Sequence, residues 1–399
     1  MPSPLADAAP VAFAAPETDP VARARELGPF LRARADEIEA LRKLPADVHR
    51  ALASAGFYRS WAPRECGGLE LAVWPVAESF EALARADGSA AWCAFIAATS
   101  ATALATLPEA TARAVFAPAE RALISGVFAP TGTAEREGDA FRVNGRWAFG
   151  SGIQNADWVL AGCRLLENGA PMTRGGGAPR THMVLVPARE VEFLDTWHVS
   201  GLSGTGSTDF ALHDVRVPAE RVVGFAREHP PDRPLYRFPN FTLLALGIGM
   251  VGLGLGRAAL DELALLASAK KPMGSSRTLA ERALAQSAVA EAEAELRSAR
   301  AFLREAVEAA WERACEREPI APELRRDLRL ATTHAARSAA HVAARMYELG
   351  GASSIYKRSP LQRIFRDAHV ATQHGMVAPA TLELAGRMFL GLPTDTGSL

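Results

Sequence analysis

The run AFRVNGRWAF (140–149) is where the chain stops reading as helix and begins to read as sheet. Aromatic and β-branched side chains flank Asn144-Gly145, and that pair predicts a two-residue hairpin, because both central residues of a type I′ turn need positive φ. Around it stand ALISGVFA (122–129), WVLAGCRLL (158–166), HMVLVPA (182–188), VEFLDTW (191–197) and TDFALHDVRVP (208–218). Each is a short apolar run bounded by turn residues. The spacing predicts a β domain over 121–228.

Outward from that sheet the periodicity changes on both sides. Leu44, Val48, Leu52 and Ala55 recur at helical spacing, which predicts an all-α domain over 22–120 behind a low-complexity tail at 1–21. Beyond PPDRPLYRFP (230–239), Leu296, Ala299, Leu303, Ala306 and Ala310 form one stripe, and Leu324, Leu328, Ala331, Ala335, Ala339, Val342, Met346 and Leu349 form another. A loop is expected between them at Pro319 and Pro322. Long seams of this kind suit antiparallel helices in a bundle, here 235–399. The predicted fold class is α+β, mainly α: a helical domain, a β domain, then a helix bundle.

Composition narrows the function. Lys plus Arg number 44 and Asp plus Glu 45 among 399 residues, so the net charge of −1 offers no field for nucleic acid or an anionic membrane. The longest apolar stretch (243–255) is glycine-rich and falls short of the roughly twenty residues a bilayer crossing needs, which predicts a buried helix. The first residues carry no basic segment and no continuous apolar run, so a cytoplasmic protein without a signal peptide is expected. Cys66, Cys93, Cys163 and Cys315 are too far apart for a metal site and are expected as reduced, mostly buried thiols. No metal site is expected elsewhere. Gly247, Gly249 and Gly252 match a dinucleotide fingerprint by letter, but only helices follow, so these glycines are read as points of close helix approach.

Several stretches resemble the acyl-CoA dehydrogenase superfamily, in order and across all three parts. They are PRECGGLEL (63–71), RADGSAAW (85–92), VNGRWAFGSGIQNADW (143–158), GLSGTGSTDFALHDVRVPAERV (201–222) and ELGGASSIYKRSPLQRIFRDAH (348–369). The resemblance implies a flavin between the β domain and the bundle. Phe149 and Ser151 would face its ring system, with Thr205 and Ser207 on the loop beside it. Gly350-Gly351 of a neighbouring subunit would help build the nucleotide end. The dehydrogenases carry cofactor-contacting Arg and Phe where this chain reads Lys270 and Met273, and Arg277 is left to meet a phosphate.

The dehydrogenases abstract a proton with a carboxylate, and the matching position here is Gly375. The alternative position falls in PNFTLLAL (239–246), which holds no acid. Beside Gly375 stands His374, in the pattern RDxHxxxQH (366–374), which resembles the group D flavin monooxygenases. That resemblance implies reduced FMN or FAD brought by diffusion from a separate NAD(P)H-dependent reductase, O₂ as cosubstrate, and a flavin C4a-hydroperoxide that inserts one oxygen atom into a small aromatic molecule. Ser151 would hold the flavin N5 proton, and His374, with an ordinary pKa near 6.5, would deliver a proton. Trp92, Phe95 and Trp197 would wall the substrate pocket, with His369 at its side. CAFIAATSATAL (93–104) lacks the histidine that phenol-oxidising members carry there, so an indole-like or polycyclic substrate, or an amine or sulfur centre, is as fitting as a phenol. A homotetramer is the family expectation. The rival readings are an FAD-dependent dehydrogenase with a displaced base and a non-catalytic flavin-binding relative.

Overall fold

The computed structural model describes residues 19–173, 177–224, 231–397 and 399. The Asp19 carboxylate accepts from the backbone N–H of Val21 at 2.9 Å and of Ala22 at 3.0 Å. Pro20 takes the first helical position, where its missing N–H has no partner to lose. Helix α1 (Pro20–Leu41) thus begins two residues inside the stretch expected as tail, and 1–18 lies outside the described residues. Helices α2 (Ala46–Ser54), α3 (Val73–Ala84), α4 (Gly88–Ala101) and α5 (Glu109–Val115) follow.

The middle segment forms one sheet from β1 (Ile124–Glu137), β2 (Ala140–Gly150), β3 (Trp158–Glu167), β4 (Ala170–Pro171), β5 (Thr181–Pro187), β6 (Glu192–Leu194), β7 (Thr208–Pro218) and β8 (Val222–Val223). The strand order is β6-β7-β2-β1-β3-β5-β8, with β4 paired to β3. β1 and β3 run parallel and the other pairs antiparallel.

Asn144-Gly145 is not a turn. It lies inside β2, and the connection from β1 to β2 is made by Gly138-Asp139, with Glu137 facing Ala140. The Asn144 amide is used sideways instead: Nδ2 donates to Asp214 Oδ1 at 3.0 Å, and Oδ1 accepts from the Asp214 N–H at 2.8 Å. This clamps an irregularity where the β2–β7 register slips between Val143 and Gly145. Glycine is required because a Cβ at 145 would lie 2.8 Å from the Trp147 ring. That indole stacks on Phe210 at 5.1 Å and 14°, at the centre of the sheet's own core.

The chain then returns to helices: α6 (Pro234–Arg237), α7 (Asn240–Ala269), α8 (Ala283–Glu316), α9 (Pro322–Gly350), α10 (Pro360–Ala371) and α11 (Pro379–Phe389). Pro322 opens α9 and is not part of the loop, again as a first-turn proline. The architecture is α+β, mainly α. The apolar stretch read as too short to cross a bilayer is part of a 30-residue helix, and α7 and residues 88–106 both meet the length and apolarity of a span. In the most apolar window of each, 94% and 100% of the residues are buried within the fold.

Helix α7 carries α4 antiparallel along its side. A Cβ on Gly88 would touch Leu255, one on Gly247 would lie 2.3 Å from the Phe95 ring, and Thr102 Oγ1 meets Asn240 Oδ1 at 3.3 Å. All fourteen residues of α4 are buried, since its other side packs on β1 and on the 201–207 loop. One helix therefore joins the sheet to the bundle. Cys66, Cys93 and Cys163 are buried free thiols, and Cys315 is exposed.

Candidate active site

Strand β2 ends in a distorted step. Phe149 adopts φ 68°, an uncommon conformation for a bulky residue, and the Ser151 N–H turns back to donate to Phe149 O at 2.9 Å. The step tips the Phe149 ring outward, where it is 70% exposed and meets Trp197 edge to face at 6.2 Å. It also turns the Ser151 side chain inward, where it is buried. Ser125 Oγ donates to Ser151 O, and the Gly152 N–H donates to Thr205 O at 2.7 Å, so the step is held from both sides.

Buried hydroxyls run inward from Ser151. Ser151 Oγ lies 2.7 Å from Ser207 Oγ, which lies 2.7 Å from Thr205 Oγ1, and Thr205 Oγ1 donates to Leu202 O at 2.7 Å. At the other end, Trp92 Nε1–H donates to Ser151 Oγ at 3.0 Å. Both ends have a fixed sense, because an indole N–H only donates and a carbonyl only accepts. The single Ser207 hydrogen decides the rest. Given to Thr205, it leaves the Ser151 hydrogen on Ser207; given to Ser151, it frees the Ser151 hydrogen for an external acceptor.

The Trp92 indole also lies 5.9 Å from the His374 ring and 5.0 Å from Phe95. His374 caps a short turn, its Nδ1 accepting from the Met376 N–H at 3.2 Å. Burial, helped by the nearby Arg329 charge, pulls its pKa down to about 4. This corrects the expectation of an ordinary titration near 6.5. With Nδ1 an acceptor, the neutral ring carries its proton on Nε2, ready to donate.

The predicted residues thus fall into groups. Ser151, Thr205, Ser207, Trp92, Phe95 and His374 form one cluster. Phe149 and Trp197 border it, with Trp197 Nε1 donating to Ser203 O at 3.1 Å on the same loop. His369 is occupied elsewhere: its Nδ1–H donates to Phe365 O at 2.8 Å and its ring packs on Phe365 at 4.3 Å. Gly350 and Gly351 end α9 beside Lys270, whose Nζ donates to Gly350 O at 2.5 Å. Arg277 is exposed on the α7–α8 connection. Three roles were not read from sequence: Trp92 as a donor rather than only a wall, Ser125 behind Ser151, and the buried Arg329, whose Nη2 donates to Met376 O at 3.0 Å. A charged residue beside the apolar α9 stripe was the one visible hint of the last.

An exposed aromatic ring two residues from a buried hydroxyl fits the flat, polar edge of an isoalloxazine, and the position matching the dehydrogenase carboxylate is Gly375, which has no side chain to act as a base. Fold and site together define a flavin-dependent oxidoreductase. The family descriptions "Acyl-CoA dehydrogenase, N-terminal domain" and "Acyl-CoA dehydrogenase, C-terminal domain" match residues 24–117 and 246–379. Indole-3-acetate monooxygenase of Pseudomonas putida is 38% identical over 362 residues, 90% of each chain. The flavin-dependent monooxygenase oxygenase subunit HsaA of Rhodococcus jostii is 28% identical over 92% of this chain and 97% of its own. The structure of XiaF from Streptomyces sp., in complex with FADH2 and glycerol, superposes with a TM-score of 0.87 at 27% identity, covering 95% of this chain and 97% of that one. The chain belongs to the acyl-CoA dehydrogenase superfamily and, within it, to the flavin-dependent monooxygenases.

Proposed function

We propose that this protein is the oxygenase component of a two-component system and that it oxygenates an indole-type aromatic molecule, using reduced FMN or FAD supplied by a separate NAD(P)H-dependent reductase. The observation that carries the reading is the Trp92–Ser151 hydrogen bond beside a neutral His374. Bound reduced flavin supplies the electrons that activate O₂ for transfer of one oxygen atom. The chain's own residues would do the rest: Phe149 would support the ring system, Ser151 Oγ, with its own hydrogen given to Ser207, would accept the hydrogen that the reduced ring carries on its central nitrogen, and His374 Nε2–H would donate from the bundle side. Trp92 and Phe95 exclude water, which keeps those hydrogen bonds strong. The apolar α4 wall, with Ile96 on it, suits a flat hydrophobic substrate, and the indole relative supports that class.

A homotetramer completes this reading, with Gly350-Gly351 and Arg277 of one subunit serving the nucleotide end of the flavin bound by another. The exposed Met273, Ile355 and Tyr356 near those residues supply apolar surface for such a contact. The test is to mix the protein anaerobically with reduced FMN or FAD, add indole-3-acetate, and admit isotopically labelled O₂. One labelled oxygen atom per product molecule is expected. Bleaching of bound oxidised flavin by an acyl thioester, with no oxygen incorporated, would overturn the proposal.

A further inference from the structure

The loop that carries Thr205 and Ser207 is fastened to α10 by a buried carboxylate with no assigned role. Asp367 Oδ1 accepts from the Leu202 N–H at 2.5 Å, and Leu202 holds the strained φ of 51°. Leu202 O is also the acceptor for Thr205 Oγ1. Just before Leu202 the loop lies against α10 without slack: Arg366 Nη1 donates to Ser200 O, and a Cβ on Gly201 would lie 2.4 Å from Arg366 O. The far end of the loop meets Ser151 through Ser207.

We propose that Asp367 is a positioning residue for the flavin site: by accepting the Leu202 N–H it fixes the 201–207 loop, and so sets where Ser207 stands relative to Ser151. This rests on the flavin reading above and names a residue that acts on it from outside. Asp367 is buried, and burial with Asp87 nearby pushes its carboxyl up to about 7, against the opposing pull of the Leu202 N–H and then of Arg363 and Arg366. A carboxyl kept in so unfavourable a place, bonded to a strained backbone, has a geometric duty at that bond.

Asp367→Asn keeps an acceptor for Leu202; Asp367→Leu fills the same space without one. In flavin-free protein, amide exchange across 196–208 should stay near wild type in D367N and quicken at least tenfold in D367L. Anaerobic titration should show reduced-flavin affinity falling at least tenfold in D367L and within threefold of wild type in D367N. Equal exchange and affinity in all three, or D367N as impaired as D367L, would overturn the proposal. If D367L does not fold, D367E, with its carboxylate displaced by one methylene, replaces it in both measurements. Faster exchange in D367L alongside a wild type that binds no reduced flavin would sustain the loop anchor while removing the flavin reading on which its purpose rests.

Discussion

Trp92 and His374 approach within 5.9 Å ring to ring, while the same indole gives its N–H to Ser151 at 3.0 Å. One side chain on α4 thus touches the hydroxyls of the sheet side and the imidazole of the bundle side. The donor and the apolar body have separate duties, and they can be separated by substitution.

Trp92→Phe keeps an aromatic body and removes only the donor. A neutral hydrogen bond of this kind is worth about 0.5–1.5 kcal/mol net. The absorbance transient that follows mixing of the reduced-flavin complex with O₂ should therefore decay roughly two to ten times faster than in wild type. Because Trp92 and Ser151 act as one unit, adding Ser151→Ala should produce less than the product of the two single effects. Stopped-flow absorbance reads both, and independent effects would break the chain of hydroxyls as described.

His374 is neutral throughout the ordinary working range. A histidine whose folded pKa lies below its unfolded value binds its proton less readily when folded, so its contribution to stability is present above about pH 6.5 and is lost as pH falls towards about 4. The rate of the oxygen-dependent transient should show no inflection assignable to His374 between pH 6 and 8. His374→Asn, which can still accept the Met376 N–H, should retain more of the transient than His374→Ala. A limb near pH 6.5 that disappears in His374→Asn would contradict the neutral assignment.

The fold was legible in the sequence because its cause is local. The stripes Leu296 to Ala310 and Leu328 to Met346 are buried as their spacing requires. Asn144-Gly145 misled for a physical reason: the same two residues serve a turn or a close crossing, and what decides is the neighbouring Trp147 ring together with Asp214, which is distant in sequence. The site was half legible. Ser151, Ser207 and His374 stand in motifs, whereas Arg329 near His374 and the bond from Asp367 to Leu202 arise from packing between elements far apart in the chain.

Gly247 shows how packing and the site are joined. A Cβ there would lie 2.3 Å from Phe95 Cδ2 and 2.5 Å from its Cγ, so Gly247→Ala must displace the ring, which packs on Trp92. Overpacking of this size costs about 1–3 kcal/mol. The variant should melt at a lower temperature than wild type and form less oxygenated product per flavin oxidised. Product yield unchanged in a destabilised variant would place Phe95 outside the substrate wall.

Asp87 gives a pH dependence of the opposite sign to His374. It caps α4 by accepting from the Ala90 N–H at 2.8 Å, and burial pushes its carboxyl up to about 6. A folded pKa above the unfolded value of about 3.9 means that the folded state holds the proton more tightly, so this contribution to stability is complete below about pH 4 and is lost as pH rises through about 6. Asp367, pushed up to about 7, continues the loss at higher pH. Asparagine is as good a cap as aspartate and carries no charge, so Asp87→Asn should melt above wild type at pH 8, with the difference shrinking towards pH 5. Asp87→Ala forfeits the cap, at about 1 kcal/mol, and should lie below Asp87→Asn at every pH. Calorimetric melts of the three proteins across that range decide it: a gap between Asp87→Asn and wild type that does not change with pH would show that the Asp87 charge carries no such penalty.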